Sequence, residues 1–340
     1  MRVQARIWRA PGHHCLRPFQ AVAGVCARGK SRCLERVRGD FGAEHSFAQA
    51  NRRVREHYGF ELDASAVRRA TLKHAGRAAT LLGAHYADSF RVLPRQGPGH
   101  VVAEIDGSMV CTVEAGRRRK AARPRQWKEM RLSAARAHGR VKTCYAAGFH
   151  DVAEAGRRWG HCAREAGWAL ESRIHVVADG AEWIRLQSRE IFGEAADVLV
   201  DFYHLSEYLA AAAAGCRAQS PRRWLHTQQK RLRRGAWKRV LDTLLPRAEA
   251  AATPDEDAPV RAAIRYLTHR EQNLDYPAAL ALELPIGSGL IESAHKHVLQ
   301  ARLKKPGCAW LPANADALAQ LRVLRANDQW NHLWSLPKAA

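Results

Sequence analysis

The sequence predicts an α/β protein with a mixed sheet at its core, an all-helical insertion in that core and a small helical segment before it. Between residues 101 and 214, short runs rich in β-branched residues alternate with amphipathic segments of helical length. Residues 215–285 lack strand patterns and are predicted to be helical. Residues 31–92 also show helical periodicity, closed by glycines.

The chain has 340 residues, which suffices for two or three domains, and a net charge of +22. This excess, mostly arginine, favours a polyanionic partner such as nucleic acid. The alternative is a merely basic protein from an arginine-rich proteome. No apolar run reaches membrane-spanning length, and Arg2, Arg6 and Arg9 interrupt any signal-peptide core, so we expect a soluble, cytoplasmic protein without membrane contact.

Eight cysteines without a C-x-x-C pair indicate a reducing compartment. A minor metal site at Cys15, Cys26 and Cys33 is a further hypothesis.

The first 100 residues divide into three segments. Residues 1–30 look irregular. In residues 31–92, Ser46 is a predicted helix cap and Gly59 a predicted helix end. Short arginine-rich helices with tight turns are typical of a helix-turn-helix DNA-binding domain, but a plain bundle packed on the core explains them equally well. Residues 93–100, rich in Pro and Gly, form a predicted linker.

From residue 101 the pattern changes to strands and crossover helices. The predicted strands are 101–106 with an extension at 109–113 beyond a kink, 127–137, 142–147, 174–178 and 198–200, and the predicted helices are 150–172, 182–192 and 202–214. Three strands followed by alternating helices and strands is the order of the ribonuclease-H-like fold. The catalytic core would comprise residues 101–214, resume at 286–340 and be interrupted by the helical insertion at 215–285.

Two predicted strands end at an aspartate followed by glycine, namely Asp106 and Asp179. In the predicted strand order these strands are neighbours, so the carboxylates would lie side by side. Glu292 follows a glycine-flanked helix start at which Ser288 is the predicted cap. Three clustered carboxylates favour two hard cations, Mg²⁺ or Mn²⁺, which can activate a nucleophilic oxygen and stabilise a leaving oxygen in phosphoryl transfer.

Each of the three carboxylates can also be interpreted as a structural residue without a metal-binding role. An Asp-Gly pair is often a turn, and a glutamate at a helix start often serves the helix dipole. Asp201 competes with Asp179 as the second ligand, although it could equally cap the helix that follows, with His204 as a supporting residue. We prefer Asp179.

The final helix has a predicted apolar face and a polar face. The apolar residues are Ile291, Ala294, Val298, Leu299 and Leu303, whereas Glu292, His295 and Lys296 lie on the other face. The candidate phosphate contacts are Arg231, Arg233, Arg234, Lys296, Arg302, Lys304 and Lys305. The alternative is a solvated basic face.

Several stretches in combination resemble bacterial insertion-sequence transposases of the DDE class, most closely the ISKra-type group related to Mutator-like enzymes. They are AEIDGSM at 103–109, VADGAEWI at 177–184, DFYH at 201–204, PIGSGLIES at 285–293 and RLK at 302–304.

The resemblance spans about residues 30–335 and implies Asp106, Asp179 and Glu292 as the DDE triad. It also implies Asp201 and His204 as a supporting Asp-x-x-His element, and a nucleoid-associated enzyme acting on DNA.

The partners implied are double-stranded DNA, namely terminal inverted repeats and target DNA, and further copies of the chain in a dimer or higher oligomer. The N-terminal segment is shorter than is usual in that family. An inactive DNA-binding remnant is therefore one alternative. A second alternative, independent of the N-terminal length, is a nuclease or resolvase of the same fold that cuts without joining.

Overall fold

The structure is a computed structural model that describes residues 31–335 apart from residue 60 and segments 88–91, 115–123 and 217–219. It also describes short antiparallel strand pairs near the N terminus, Trp8–Arg9 with Cys15–Leu16 and Val25–Cys26 with Lys30–Ser31. These pairs replace part of the irregular segment that we predicted. The side chains of the hypothetical cysteine metal site lie largely outside the described residues.

A five-stranded mixed sheet forms the centre of the molecule and confirms the predicted α/β class. Its strands are β1 (His100–Val113), β2 (Arg125–Ala137), β3 (Cys144–Gly148), β4 (Arg173–Ala178) and β5 (Ala196–Val200). The strands lie in the order β3-β2-β1-β4-β5. β2 pairs antiparallel with both β1 and β3, whereas β4 and β5 run parallel to β1. The strands that carry Asp106 and precede Asp179 are therefore neighbours, as predicted.

Helices surround the sheet and form the insertion. Before the sheet lie α1 (Arg32–Glu44), α2 (Phe47–Tyr58) and α3 (Ala64–Ala87). The crossover helices are α4 (Val152–Glu165), α5 (Glu182–Phe192) and α6 (Phe202–Gly215). The insertion contains α7 (Pro221–Arg233), α8 (Trp237–Leu244), α9 (Pro259–Thr268) and α10 (Tyr276–Ala281), and the chain continues with α11 (Gly289–Ala294), α12 (Pro312–Ala326) and α13 (Trp330–Ser335).

The first strand does not end at Asp106, which corrects the sequence prediction. β1 continues to Val113, and Asp106 pairs with Leu132 of β2 in an unbroken antiparallel ladder. Gly107 is not a turn residue, because it lies inside the strand and pairs with Arg131 of β2. What ends before Asp106 is the parallel ladder with β4, whose last pair is Ala103 with Val176.

The two faces of β1 belong to different hydrophobic clusters. Val101, Ala103 and Ile105 are buried with residues of α4 and α5. On the opposite face, Val110 is buried together with Ile291 of α11 and residues of α3 and α12. The N-terminal helices therefore pack on the core, as the plain-bundle interpretation expects. α6 and the insertion share a third cluster.

The segment after Ser288 is one continuous helical run that changes type. α11 passes into a π-helical turn at His295–Gln300 and a last α-turn at Ala301–Leu303. All five residues of the predicted apolar face are buried. Glu292 and Lys296 are exposed as predicted, but His295 is only 5% exposed, so it does not share their polar face.

None of the helices in the described part of the chain is long and apolar enough to cross a membrane.

Candidate active site

The strand register brings Asp106 and Asp179 to matching positions. Val102 of β1 pairs with His175 of β4, and each aspartate lies four residues beyond its member of that pair. Because alternate residues of a strand point to the same face, Asp106 shares the face of β1 that carries Val102, whereas Asp179 directly follows Ala178, the last residue of β4. Both residues follow the last pair of the parallel ladder between β1 and β4, Ala103 with Val176.

Glu292 reaches the same region from the helix that packs over that face. The Ile291 backbone N–H donates a 2.8 Å hydrogen bond to Oε2 of Glu104 on β1. Glu104 lies two residues before Asp106 and on the same strand face. The negative charge of Glu292 contributes to raising the pKa of Glu104, after burial and the charge of Asp201. The third predicted carboxylate therefore lies close to the strand that carries the first.

The Asp106 side chain is about half exposed, at 48%. Its Oδ1 accepts a 2.7 Å hydrogen bond from the Gly107 N–H, and its Oδ2 lies 3.5 Å from Nε2 of His295. Neither ring nitrogen of His295 has a hydrogen-bond partner within the part of the chain that the structure describes. The buried imidazole of His295 thus contacts one oxygen of the Asp106 carboxylate.

Asp179 follows β4 directly and lies in a turn held by the helical insertion. Its exposed side chain accepts a 2.9 Å hydrogen bond from Ala181 N–H through Oδ1. Its backbone oxygen accepts a 2.5 Å hydrogen bond from the Tyr266 hydroxyl, and the Gly180 carbonyl accepts one of 3.0 Å from Arg270 Nε. Burial, together with the charges of Asp179 and Asp201, raises the pKa of Tyr266, so the phenol keeps its proton and donates.

Gly180 is required by this turn for two reasons. Its φ is +82°, a left-handed conformation that favours glycine, and an added Cβ would lie 2.0 Å from Arg270 Nε. The insertion thus contacts the aspartate turn closely, and only glycine fits between them.

Asp201 is a buried structural carboxylate, only 2% exposed. Oδ1 accepts the N–H groups of Tyr203 at 2.6 Å and His204 at 3.0 Å, which caps α6. Oδ2 accepts the Ser288 N–H at 2.7 Å and also the Ser288 hydroxyl. Since both oxygens are occupied by donors of the chain itself, Asp201 joins α6 to the start of α11, whereas Asp179 presents its side chain to solvent.

His204 adjoins an aromatic group from the insertion. Its Nδ1 lies 3.4 Å from Glu207 Oε2, and its ring meets Tyr208 and Tyr266 edge-on. Its link to Asp201 runs through the backbone N–H. The imidazole therefore lies beside Tyr266, which holds the Asp179 turn.

The donor set is compatible with hard divalent cations. Asp106, Asp179 and Glu292 offer only carboxylate oxygens, the ligand type that Mg²⁺ and Mn²⁺ prefer. The side chains of Asp179 and Glu292 are exposed, so their oxygens are accessible to an ion from solvent. Across the same described residues, no group of three or more His, Cys, Asp or Glu side chains is positioned to hold a metal ion. Glu292 thus lies close to the strand of Asp106, and the three side chains form no closed ligand cluster among the described residues.

Arg302 is not available for a phosphate contact, which corrects the sequence prediction. It is 1% exposed, and Nε donates to the Gly42 carbonyl at 3.1 Å. Its guanidinium carbon lies 4.7 Å from the Phe47 ring centroid and 4.8 Å from that of Trp310. Burial lowers the pKa of Arg302 to about 10. Packing between these two aromatic rings explains why an arginine occupies this buried position.

Arg231 also has a structural role, because it joins two helices of the insertion. It donates to Gln228 Oε1 at 3.0 Å and to Thr243 Oγ1 at 2.8 Å. The other predicted cations are exposed or half-buried: Arg233, Arg234, Lys296, Lys304 and Lys305. Lys304 Nζ donates to Ser108 Oγ at 3.3 Å, which places one cation two residues beyond Asp106 on the same strand face.

Sequence reasoning missed Glu104, Tyr266 and Arg270. Glu104 has a recognisable signal, because it is a charged residue inside an apolar run and shares strand parity with Asp106. Tyr266 and Arg270 lie 87 and 90 residues from their partners in the Asp179 turn, so no local pattern indicates their contact.

This sequence matches no family model and no curated protein.

Proposed function

We propose that the protein is a DNA transposase of the DDE class that cuts the ends of an insertion sequence and joins them to target DNA. One observation supports the proposal: β1, which carries Asp106, neighbours β4, which ends directly before Asp179, and the helix bearing Glu292 is bonded to β1 two residues before Asp106. Sequence resemblance implies the same three residues. The strand order β3-β2-β1-β4-β5, with a helical insertion before Glu292, is compatible with a ribonuclease-H-like core.

Asp106, Asp179 and Glu292 would hold two Mg²⁺ or Mn²⁺ ions. When bound, such ions make an oxygen nucleophile more acidic and neutralise charge on the leaving oxygen of an in-line phosphoryl transfer. The protein's own contribution is to fix the ligands. The Ala181 N–H orients the Asp179 carboxylate, and Asp201 fixes the helix start before Glu292.

Cations beside the carboxylates support a polyanionic substrate. Lys304 reaches Ser108, and exposed Lys296 lies one turn beyond Glu292. With the net charge of +22, these side chains favour contact with DNA phosphates. The proposed partners are the terminal inverted repeats, target DNA and further copies of this chain, in the cytoplasm at the nucleoid.

The test is strand cleavage by Asp106→Asn, Asp179→Asn and Glu292→Gln variants. The substrate is a duplex carrying the inverted repeats that flank the gene, with Mg²⁺ or Mn²⁺. Each change is expected to reduce cleavage by about 100-fold or more, because a metal ligand loses its charge. Asp197→Asn is the matched control: this exposed carboxylate pairs with Arg173 at the opposite end of the parallel strands, and its loss should leave cleavage intact.

If all three variants cleave like the parent chain, the proposed site is wrong. Joining is tested separately with pre-cut ends and a plasmid target. A transposase yields joined product, whereas a nuclease or resolvase of the same fold yields none.

A further inference from the structure

Glu104 is a fully buried carboxyl in the central strand, with 0% of its surface exposed. Its Oε2 accepts the Ile291 N–H at 2.8 Å, and its Oε1 has no partner among the residues that the structure describes. A buried carboxyl is costly unless its hydrogen bonds compensate, and an apolar residue would fill this position at a lower desolvation cost. Compared with an apolar residue at this position, the Glu104 side chain therefore contributes one thing to the fold, its hydrogen bond to Ile291.

The start of α11 needs an acceptor from elsewhere in the chain. The first backbone N–H groups of a helix have no partner within the helix. Ser288 occupies the cap position, but its side chain makes no capping hydrogen bond and donates to Asp201 instead. The third N–H of the helix, that of Ile291, would have no capping acceptor without Glu104, which supplies it across 187 residues of sequence.

We infer that Glu104 is a positioning residue that fixes Glu292 relative to Asp106. Glu104 lies two residues from Asp106 on the same face of β1, and its hydrogen-bond partner Ile291 directly precedes Glu292. One buried hydrogen bond thus connects the strand of one predicted metal ligand to the helix of another. The catalytic part of this inference rests on the proposed function, whereas the capping part does not.

The bond links the residue directly before Glu292 to β1, two residues before Asp106. Asp201 holds Ser288 from the other side, so two buried carboxyls secure the start of α11 on two sides. Without Glu104 the helix start would keep its bond to Asp201 and the burial of Ile291 but lose its hydrogen bond to β1, so Glu292 could shift relative to Asp106. Displacement of a reacting group by about 1 Å can cost about 100-fold in rate.

Three variants of the full chain test the inference. Glu104→Gln keeps an acceptor oxygen for the Ile291 N–H, whereas Glu104→Leu keeps the volume without an acceptor. Val102→Ala is the matched control, because this buried residue lies on the same face of β1 and makes no polar contact with α11. The first measurement is hydrogen exchange of the Ile291 amide by mass spectrometry of residues 286–294.

We expect exchange at Ile291 to accelerate about tenfold or more in Glu104→Leu and to stay near the parent rate in Glu104→Gln and Val102→Ala. The second measurement is cleavage with Mg²⁺. Glu104→Leu should lose about 100-fold in kcat, and Glu104→Gln should restore most of it.

Unchanged exchange in Glu104→Leu would overturn the inference, whatever happens to cleavage. The inference would also be overturned if Glu104→Gln kept the Ile291 amide protected from exchange but lost cleavage. The Glu104 carboxyl would then act through its charge and not through the hydrogen bond. If the parent chain does not cleave at all, the proposed function fails, and exchange at Ile291 still decides whether Glu104 holds α11.

Discussion

Removing the Asp201 carboxylate should destabilise the protein far more than removing an ordinary helix cap. In Asp201→Ala, the N–H groups of Tyr203 and His204 lose the cap of α6, which costs about 1 kcal/mol. The Ser288 N–H loses its acceptor in a part-buried position, which costs about 1–3 kcal/mol more. The expected total is therefore about 2–4 kcal/mol in the free energy of unfolding.

The assay is equilibrium urea unfolding of the parent, Asp201→Ala, Asp201→Asn and a control cap variant. Asp151 is the control, because it caps α4 through one exposed 2.8 Å bond to the Glu154 N–H. We expect Asp151→Ala to cost about 1 kcal/mol. The loss of unfolding free energy in Asp201→Asn should fall between the losses in Asp151→Ala and Asp201→Ala. Its amide oxygen keeps the α6 cap, but its NH₂ group cannot accept a hydrogen bond from Ser288. An Asp201→Ala loss no larger than that of Asp151→Ala would refute the reasoning.

Three further predictions concern pH, backbone conformation and charge. The pKa of Glu104 is raised from 4.5 to about 8, chiefly by burial. The folded state therefore holds this proton more tightly than the unfolded state, and stability should fall by on the order of 3–5 kcal/mol as pH rises from about 5 to 8. Urea unfolding across that range should show a flatter profile for Glu104→Gln, and equal profiles would contradict the assignment. Gly180→Ala combines a φ of +82° with a contact of 2.0 Å to Arg270 and should cost about 1–3 kcal/mol in thermal unfolding. Gly59→Ala, with a φ of +70° in the left-handed helical region and no atom within 4 Å, should cost only about 1 kcal/mol, so equal losses would exclude the Arg270 contact as a cause. Arg302→Met should lower the free energy of unfolding by about 2–4 kcal/mol. It should leave the slope of log binding constant against log salt concentration for DNA unchanged, whereas loss of a phosphate contact would reduce the slope by about 1.

The order of strands and helices could be predicted because it depends on local periodicity. Alternation with a period of two indicates strands, and spacings of three and four indicate helix faces, so the five strands and the buried face after Ser288 are found where expected. Boundaries were less certain. A glycine after Asp106 resembles a turn in sequence, but it lies inside a strand that continues to Val113.

The sequence by itself determined the element order, the adjacency of the strands bearing Asp106 and Asp179, and a basic chain with three candidate carboxylates. Only the tertiary structure decided which aspartate is enclosed by hydrogen bonds, that Arg302 is buried between two rings, and that Glu104 holds the helix of Glu292. The physical reason is that a side chain's burial and partners depend on residues that are remote in sequence. Asp201 and Ser288 are 87 residues apart, Glu104 and Ile291 are 187 apart, and neither pairing leaves a periodic signal in the chain.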